Sequence, residues 1–272
     1  MSILEALLLG ILQGITEFLP VSSSGHLVLA QSLLASELAP GITFEIVVHF
    51  GSFSSIALYY RKKIMAILID LIKSFSPEGI RSKRYTTDPH TRLSWIILLS
   101  VIPAGVVGFT MKEQIESLFM NPVLVSGMLL VTGALLFSTR FVGKTEKDVN
   151  VRRGFIIGIA QACAIIPGIS RSGSTITTGL LCGVSREHVA NFSFLMVLPV
   201  LAGAMLVEML ELRETGMENL ALASLVVGYF ASFISGFYAL KYLIILLKRD
   251  KIYYFAYYCW PVGVAGLIYF SM

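Results

Sequence analysis

Apolar runs as long as a bilayer is thick recur along this chain, at about 93–109, 122–138, 189–207 and 220–247. Hydrocarbon satisfies no backbone polar group, so such a run must close its own hydrogen bonds as a helix. Composition agrees: 56% of the 272 residues are hydrophobic and 14% charged, where soluble domains carry about 25% charged residues. Mean hydropathy is +0.79. The expected fold class is an all-α polytopic membrane protein. The lipid bilayer is then a partner, and the net charge of +4 is no sign of nucleic-acid binding. Cys163, Cys182 and Cys259 have neither metal-ligand nor disulfide spacing and read as small packing residues. The first apolar run holds Glu5 and no basic n-region, so no cleavable signal peptide is expected.

Two polar stretches interrupt the apolar pattern. Residues 2–18 read as a helix that stops at Leu19, because a residue before proline avoids the α region. Ser22, Ser23 and Ser24 offer cap oxygens for a second helix, about 23–35. Both pieces are short for a full span, and a polar tip joins them, which predicts a re-entrant hairpin. The same design returns at about 153–166, broken at Pro167-Gly168, and 172–184. An offset of 148 relates the two stretches: Gly10 falls on Gly158, Gln13 on Gln161, Ser22 on Ser170, Ser24 on Ser172, Gly25 on Gly173 and Phe44 on Phe192. Further spans are expected at 44–60 and 253–271, and the small residues Gly105, Gly108, Gly127 and Gly133 read as points of close helix contact.

Charge sets the expected topology. Segment 61–92 holds eight Lys/Arg and three acids, 139–154 five and two, and 248–251 three and one. Segments 110–121 and 208–219 are net acidic. Ile64–Phe75 is amphipathic and reads as a surface-lying piece of the first basic loop. Basic loops mark the cytoplasmic side, which places both termini outside and three spans in each half. Three is odd, so the halves are expected to be inverted repeats within a single membrane domain, 1–272: a first repeat 1–138 with its hairpin 2–35, a connector 139–152, and a second repeat 153–272 with its hairpin 153–184. Inverted repeats place their sites at helix breaks near the midplane.

The polar residues at those breaks carry the chemistry. An ionisable Glu17 at membrane depth marks a site, and Gln13, one turn earlier, shares its face. Ser23 and His26 are three apart, near enough on a helix for the imidazole to activate the hydroxyl; capping is the favoured reading of Ser22 and Ser24. In the second stretch Arg171, ringed by Ser170, Ser172, Ser174 and Thr175, with Gly173 allowing close backbone approach, fits a phosphate. Arg171 as counter-ion to Glu17 is the compatible structural reading. His49 with Glu45 reads equally as a structural pair or a site. Arg186 and Glu187 are expected at the inner membrane surface, and the aromatics Tyr253, Tyr254, Tyr257, Tyr258 and Trp260 read as packing and interface anchors.

Gln13-x-x-x-Glu17-Phe18-Leu19-Pro20-Val21-Ser22-Ser23-Ser24-Gly25-His26, together with Pro167-Gly168-Ile169-Ser170-Arg171-Ser172-Gly173-Ser174-Thr175, resembles the undecaprenyl-diphosphate phosphatase family, the bacitracin-resistance proteins of bacterial inner membranes. The resemblance implies hydrolysis of a C55 polyprenyl diphosphate to the monophosphate, which recycles the cell-wall lipid carrier. It implies a multi-pass protein of the bacterial inner membrane whose site opens outward. It also implies a divalent cation, Mg²⁺ or Ca²⁺, and a site formed by Gln13, Glu17, Ser23, His26 and Arg171, with Glu17 the one carboxylate ligand. Family members commonly carry Glu where Gln13 stands, and Gln supplies no second negative charge. The expected mechanism has Arg171, its neighbouring hydroxyls and the cation holding the diphosphate while Ser23 attacks with His26 as base. His26 or a water as the direct nucleophile stays open, as does a homodimer. The rival reading is a lipid-phosphate flippase or transporter using the same anion site, since broken-helix repeats are also a transporter architecture. A purely structural membrane subunit leaves Glu17 and Arg171 without a reason.

Overall fold

The computed structural model describes residues 1–33, 42–76, 88–215 and 221–272. The described residues form eleven α-helices: α1 (Ile3–Phe18), α2 (Ser23–Leu33), α3 (Ile42–Ser74), α4 (Pro89–Thr110), α5 (Lys112–Phe119), α6 (Pro122–Ser138), α7 (Val151–Cys163), α8 (Arg171–Leu181), α9 (Arg186–Thr215), α10 (Leu222–Lys248) and α11 (Ala256–Ser271). Local chemistry sets several of their starts. Ser2 and Glu5 close a capping box on α1, and Asn150 caps α7. Asp88 and Asn121 cap α4 and α6, each followed by proline in the first turn. The connector after α6 is pinned by a single bridge, Lys147 N–H to the Gly183 carbonyl at 3.1 Å and Ser185 N–H to the Lys147 carbonyl at 2.9 Å.

Among the described residues four helical segments are long and apolar enough to cross a membrane: Thr91–Thr110, Pro122–Phe141, Arg186–Leu210 and Leu222–Lys248. They match four of the six expected spans. The expected span 253–271 is the 16-residue α11 behind a 3₁₀ turn at Ile252–Phe255, about 24 Å of helix against a core of about 30 Å. The expected span 44–60 is the opening half of α3, and here the structure corrects the sequence reading. No break separates it from the amphipathic piece; α3 runs unbroken for 33 residues. Between Gly51 and Ser76 the sequence has neither glycine nor proline, and Arg and Lys are good helix formers, so basic residues alone do not end a helix. Similarly α9 continues to Thr215, past its expected end at 207, and the acidic segment 110–121 contains α5. The end of the first hairpin at 34–35 and residues 77–87 of the first basic loop lie outside the described residues.

Packing is inside-out relative to a soluble domain. The long helices expose Ile102, Val106, Phe109, Phe230, Ile234 and Tyr238, while Ser52, Ser55, Ser100, Ser126, Thr132, Ser193 and Ser232 are buried. Small and hydroxyl residues let backbones approach where lipid offers no hydrophobic drive between helices. α1 lies on α10, where a Cβ on Gly10 would sit 2.6 Å from the Gly228 carbonyl and one on Gly14 would collide with Ser235 Oγ and the Ser232 carbonyl. α7 lies reciprocally on α4, where a Cβ on Gly158 would collide with the Ser100 carbonyl. α3 also packs on α10 through Ser55 Oγ donating to the Phe233 carbonyl at 2.6 Å and Ser232 Oγ donating to the Val48 carbonyl at 2.6 Å. α9 threads the main core with Phe192, Phe194 and Met196 fully buried.

The close contacts are not where the glycines of the spans pointed. Gly105, Gly108 and Gly127 have nothing within 4 Å of an added Cβ; of the four, Gly133 alone packs, on Trp260. Cys259 is a buried packing residue as expected, whereas Cys163 is exposed. Gly14→Val is expected to destabilise the detergent-solubilised protein by about 1–3 kcal/mol through overpacking, and Gly105→Ala to leave thermal unfolding unchanged. Equal melting shifts for the two variants would contradict the α1–α10 contact.

Candidate active site

Two helix breaks build the site. α1 ends at Leu19, whose extended ψ of 142° is what the following Pro20 requires. The chain then reverses through Ser22, which sits in the left-handed region at φ 73°. Ser22 Oγ accepts from Gly25 N–H at 3.2 Å, so capping, the favoured role for Ser22, is the one observed. The second break runs from α7 through Pro167 and Gly168, at φ 91°, to Ser170, which caps α8 by accepting from Gly173 N–H at 3.1 Å. The expected start of this helix, near Ser172, falls at Arg171.

The two turns meet. An added Cβ on Gly25 would lie 3.1 Å from Gly168 Cα, so the backbones touch with no room for a side chain. α6 latches the second turn: Thr132 Oγ1 donates to the Gly168 carbonyl at 2.8 Å and accepts from Ser170 N–H at 3.0 Å. Thr175 Oγ1 and Ser193 Oγ, 2.6 Å apart, tie α8 to α9. Ser172 Oγ reaches the Leu19 carbonyl of the first turn at 3.5 Å.

Glu17 is the hub between them. Its Oε1 accepts from Arg171 Nη2 at 2.5 Å, an ion pair across 154 residues of sequence. Its Oε2 accepts from Ser23 Oγ at 2.8 Å and from Gln13 Nε2 at 3.1 Å. Glu17 and Gln13 are buried, and Ser23 and Arg171 partly so. Three buried polar atoms here have no partner: Gln13 Oε1, Arg171 Nη1 and Ser174 Oγ. Buried polar groups are normally satisfied, so an open donor on Arg171 and an open acceptor on Gln13, two residues that both bond Glu17, mark a place prepared for something else.

His26 is near but differently engaged. Its Nδ1 lies 2.8 Å from the Ser22 carbonyl, which only accepts, so Nδ1 carries a proton. Its Nε2 lies 2.9 Å from the Tyr258 hydroxyl, and the two rings stack with centroids 5.6 Å apart. Ser23 therefore shares its hydrogen bond with Glu17, and no Ser23–His26 bond forms; the expected imidazole partner of the serine is in this structure a carboxylate. Thr132 escaped sequence reading, and Tyr258, read from sequence as a packing and interface anchor, is instead the partner of His26. Tyr258 stands 232 residues from His26 within a run of aromatics, and no periodic signal separates it from its neighbours. Of the other candidates, Glu45 Oε1 accepts from Gln31 Nε2 at 2.9 Å and His49 Nδ1 contacts the Glu45 carbonyl at 2.9 Å; neither hydrogen-bonds to the residues of the two turns, although His49 is near enough to act on the Glu17 charge. Arg186 pairs with Asp250 at the basic end of the bundle.

Among the described residues no group of three His, Cys, Asp or Glu is placed to hold a metal ion. Two cavities, of about 600 and about 280 Å³, are lined by residues outside this cluster; its chemistry singles it out. Removing one partner of a buried ion pair costs about 3–5 kcal/mol, more than neutralising both. Arg171→Gln alone is thus expected to lower the melting temperature more than Glu17→Gln with Arg171→Gln; a lower value for the double variant would mean that the pair does not bind the turns together.

The family model described as Bacitracin resistance protein BacA matches residues 6–265. The chain is similar to an undecaprenyl-diphosphatase of Salinibacter ruber, 42% identical over 264 residues, with 97% of each chain covered. It is similar to proteins of the same name from Methanobrevibacter smithii, 38% identical with 97% and 96% covered, and from Bacteroides fragilis, 41% identical with 97% of each covered. On this coverage, and with both polar turns inside the matched residues, the chain belongs to the bacitracin resistance protein BacA family.

Proposed function

We infer that this membrane protein is a phosphatase that hydrolyses undecaprenyl diphosphate to undecaprenyl phosphate. Its family and its relatives' name support that reaction and give no support to a flippase. The observation that carries the assignment to particular residues is the hydrogen bond from Ser23 to Glu17 beside the open Nη1 donor of Arg171. A transporter has no need of a hydroxyl set on a carboxylate.

In the proposed mechanism Arg171 Nη1, with the hydroxyls of Ser170 and Ser172 and the N–H groups at the start of α8, receives the diphosphate, while Thr175, bonded to Ser193, holds α8 in place. A phosphate oxygen on Arg171 loosens its hold on Glu17. Ser23 Oγ then attacks the terminal phosphorus and passes its proton to Glu17 Oε2, and the bond from that phosphorus to the bridging oxygen breaks, releasing the lipid monophosphate. Water hydrolyses the phosphoserine: its proton goes to His26 Nε2 once Tyr258 yields, the Ser23–phosphorus bond breaks, Glu17 returns its proton to Ser23 Oγ, and His26 gives its proton to the departing phosphate. Arg171 faces charge that grows on the transferring phosphoryl, where a fixed cation acts most strongly. Gln13 Oε1, buried and unpartnered, and the Glu17 carboxylate are the hard oxygens that would hold Mg²⁺ or Ca²⁺. Such an ion, when bound, neutralises charge on the diphosphate, and one carboxylate leaves most of its coordination to phosphate oxygens.

The reciprocal packing supports the inverted-repeat reading. Gly10 and Gly158, equivalent at the 148 offset, each abut a backbone carbonyl of a helix from the other half. The short paired helices with touching tips support two re-entrant hairpins that meet at membrane depth. Basic segments inside, both termini outside and an outward-opening site complete the proposed topology.

Purified Ser23→Ala is expected to lose roughly 10³-fold or more in kcat for phosphate release from C55 diphosphate; near-normal turnover would remove Ser23 as nucleophile. A chelator is expected to abolish release by the wild type, with Mg²⁺ or Ca²⁺ restoring it. Full activity in the chelator would overturn the cation proposal and leave the Ser23 assignment standing.

A further inference from the structure

A second polar cavity opens at the other charged region of the molecule. Helices α3, α9 and α10 leave a space of about 600 Å³ between them, within the usual range for a small-molecule site. Its walls divide by chemistry. Arg61, Lys62, Lys63, Arg186 and Lys248 line one part, with Glu187 the only acid. Leu58, Phe237, Ile244 and Leu247 line the rest. Arg186 is already paired with Asp250. The other four cations make no ion pair within 4 Å with any described residue, so four exposed cations share this cavity with the single acid Glu187.

A second observation is independent of that charge. Tyr60, which lines the same cavity, is 3% exposed, and its hydroxyl is buried with no hydrogen-bond partner. Lys63 Nζ stands 5.8 Å from the centre of its ring. A buried phenol donor without an acceptor is rare in a finished interior. An anionic oxygen, set among Lys and Arg and within reach of that hydroxyl, satisfies both features. The apolar wall then selects the carrier: a soluble anion leaves Leu58, Phe237 and Ile244 unused, whereas a headgroup with a hydrocarbon tail covers them.

We propose that this cavity binds the phosphate headgroup of an anionic membrane amphiphile, with the tail along Leu58, Phe237 and Ile244. The site is separate from the Glu17–Arg171 cluster and does not depend on the catalytic reading. Basic residues at a membrane surface attract anionic lipid at about 1 kcal/mol each, and the Tyr60 hydroxyl adds selectivity for an acceptor oxygen. The ring of Tyr60 packs on Phe194 at 6.4 Å, and Phe194 meets Phe18, next to Glu17 in sequence, edge-on at 6.0 Å, so two buried side chains, Phe194 and Phe18, lie between Tyr60 and Glu17.

The test uses the full chain, purified in a neutral detergent, with thermal unfolding and native mass spectrometry as readouts. The probes are dioleoyl-phosphatidylglycerol, dioleoyl-phosphatidylcholine and inorganic phosphate. Phosphatidylglycerol is expected to raise the melting temperature with concentration and to stay bound, while phosphatidylcholine does neither. Arg61→Gln/Lys63→Gln/Lys248→Gln is expected to weaken phosphatidylglycerol about tenfold or more, and Tyr60→Phe, which keeps size and charge, severalfold. Displacement of the lipid by millimolar inorganic phosphate supports headgroup recognition. Stabilisation by inorganic phosphate with none by phosphatidylglycerol overturns the lipid source and leaves a soluble-phosphate site. Equal binding of the two lipids, or unchanged phosphatidylglycerol binding in both variants, overturns the proposal. Should the triple variant fail to fold, Tyr60→Phe decides alone.

Discussion

One carboxylate and one guanidinium, each costly at membrane depth by itself, are brought within 2.5 Å from two distant turns. Removing a charge from water is so unfavourable that an isolated Glu17 or Arg171 would work against the fold. Paired, the two become tolerable, and the pairing demands that both turns arrive at the same place. The touching backbones at Gly25 and Gly168 and the latch from Thr132 follow from that demand. A site with a serine on the carboxylate and an open donor on the guanidinium exists because the two charges have no other solution.

The scaffold that delivers the turns relies on absence of side chain. At Gly10, Gly14 and Gly158 helix backbones lie so close that a methyl group would not fit. Buried serines then bridge helices by giving their hydroxyls to carbonyls of neighbours. Each such bond contributes modestly, about 0.6–2 kcal/mol, but together with close backbone contact they replace the hydrophobic drive that lipid removes. The apolar residues, in turn, face outward on the long helices.

Much of this was legible in the chain. Long apolar runs betrayed four crossing helices, Pro20 and Pro167-Gly168 betrayed the breaks, and polar residues that hydrocarbon would not tolerate betrayed the site: Gln13, Glu17, Ser23 and Arg171 do converge. What failed was of two kinds. Continuity of α3 was missed because charged residues change a helix's surroundings without breaking its hydrogen bonds. The partners of His26 were missed because contacts such as Tyr258, far along the chain, are decided by packing, and one tyrosine among several carries no local mark. The span glycines Gly105, Gly108 and Gly127 suggested contacts that do not exist, since a small residue permits approach but does not compel it.

The two turns are not held with equal firmness. The second is fastened at Gly168 and Ser170 by Thr132 and, through Thr175, to Ser193. The first has the long reach of Ser172 to Leu19 and the contact of His26 with a half-exposed tyrosine. A ligand that takes the guanidinium from Glu17 would leave the Thr132 and Ser193 hydrogen bonds of the second turn untouched. It would remove the ion pair that joins the two turns, and leave Gly25 against Gly168 as their remaining backbone contact.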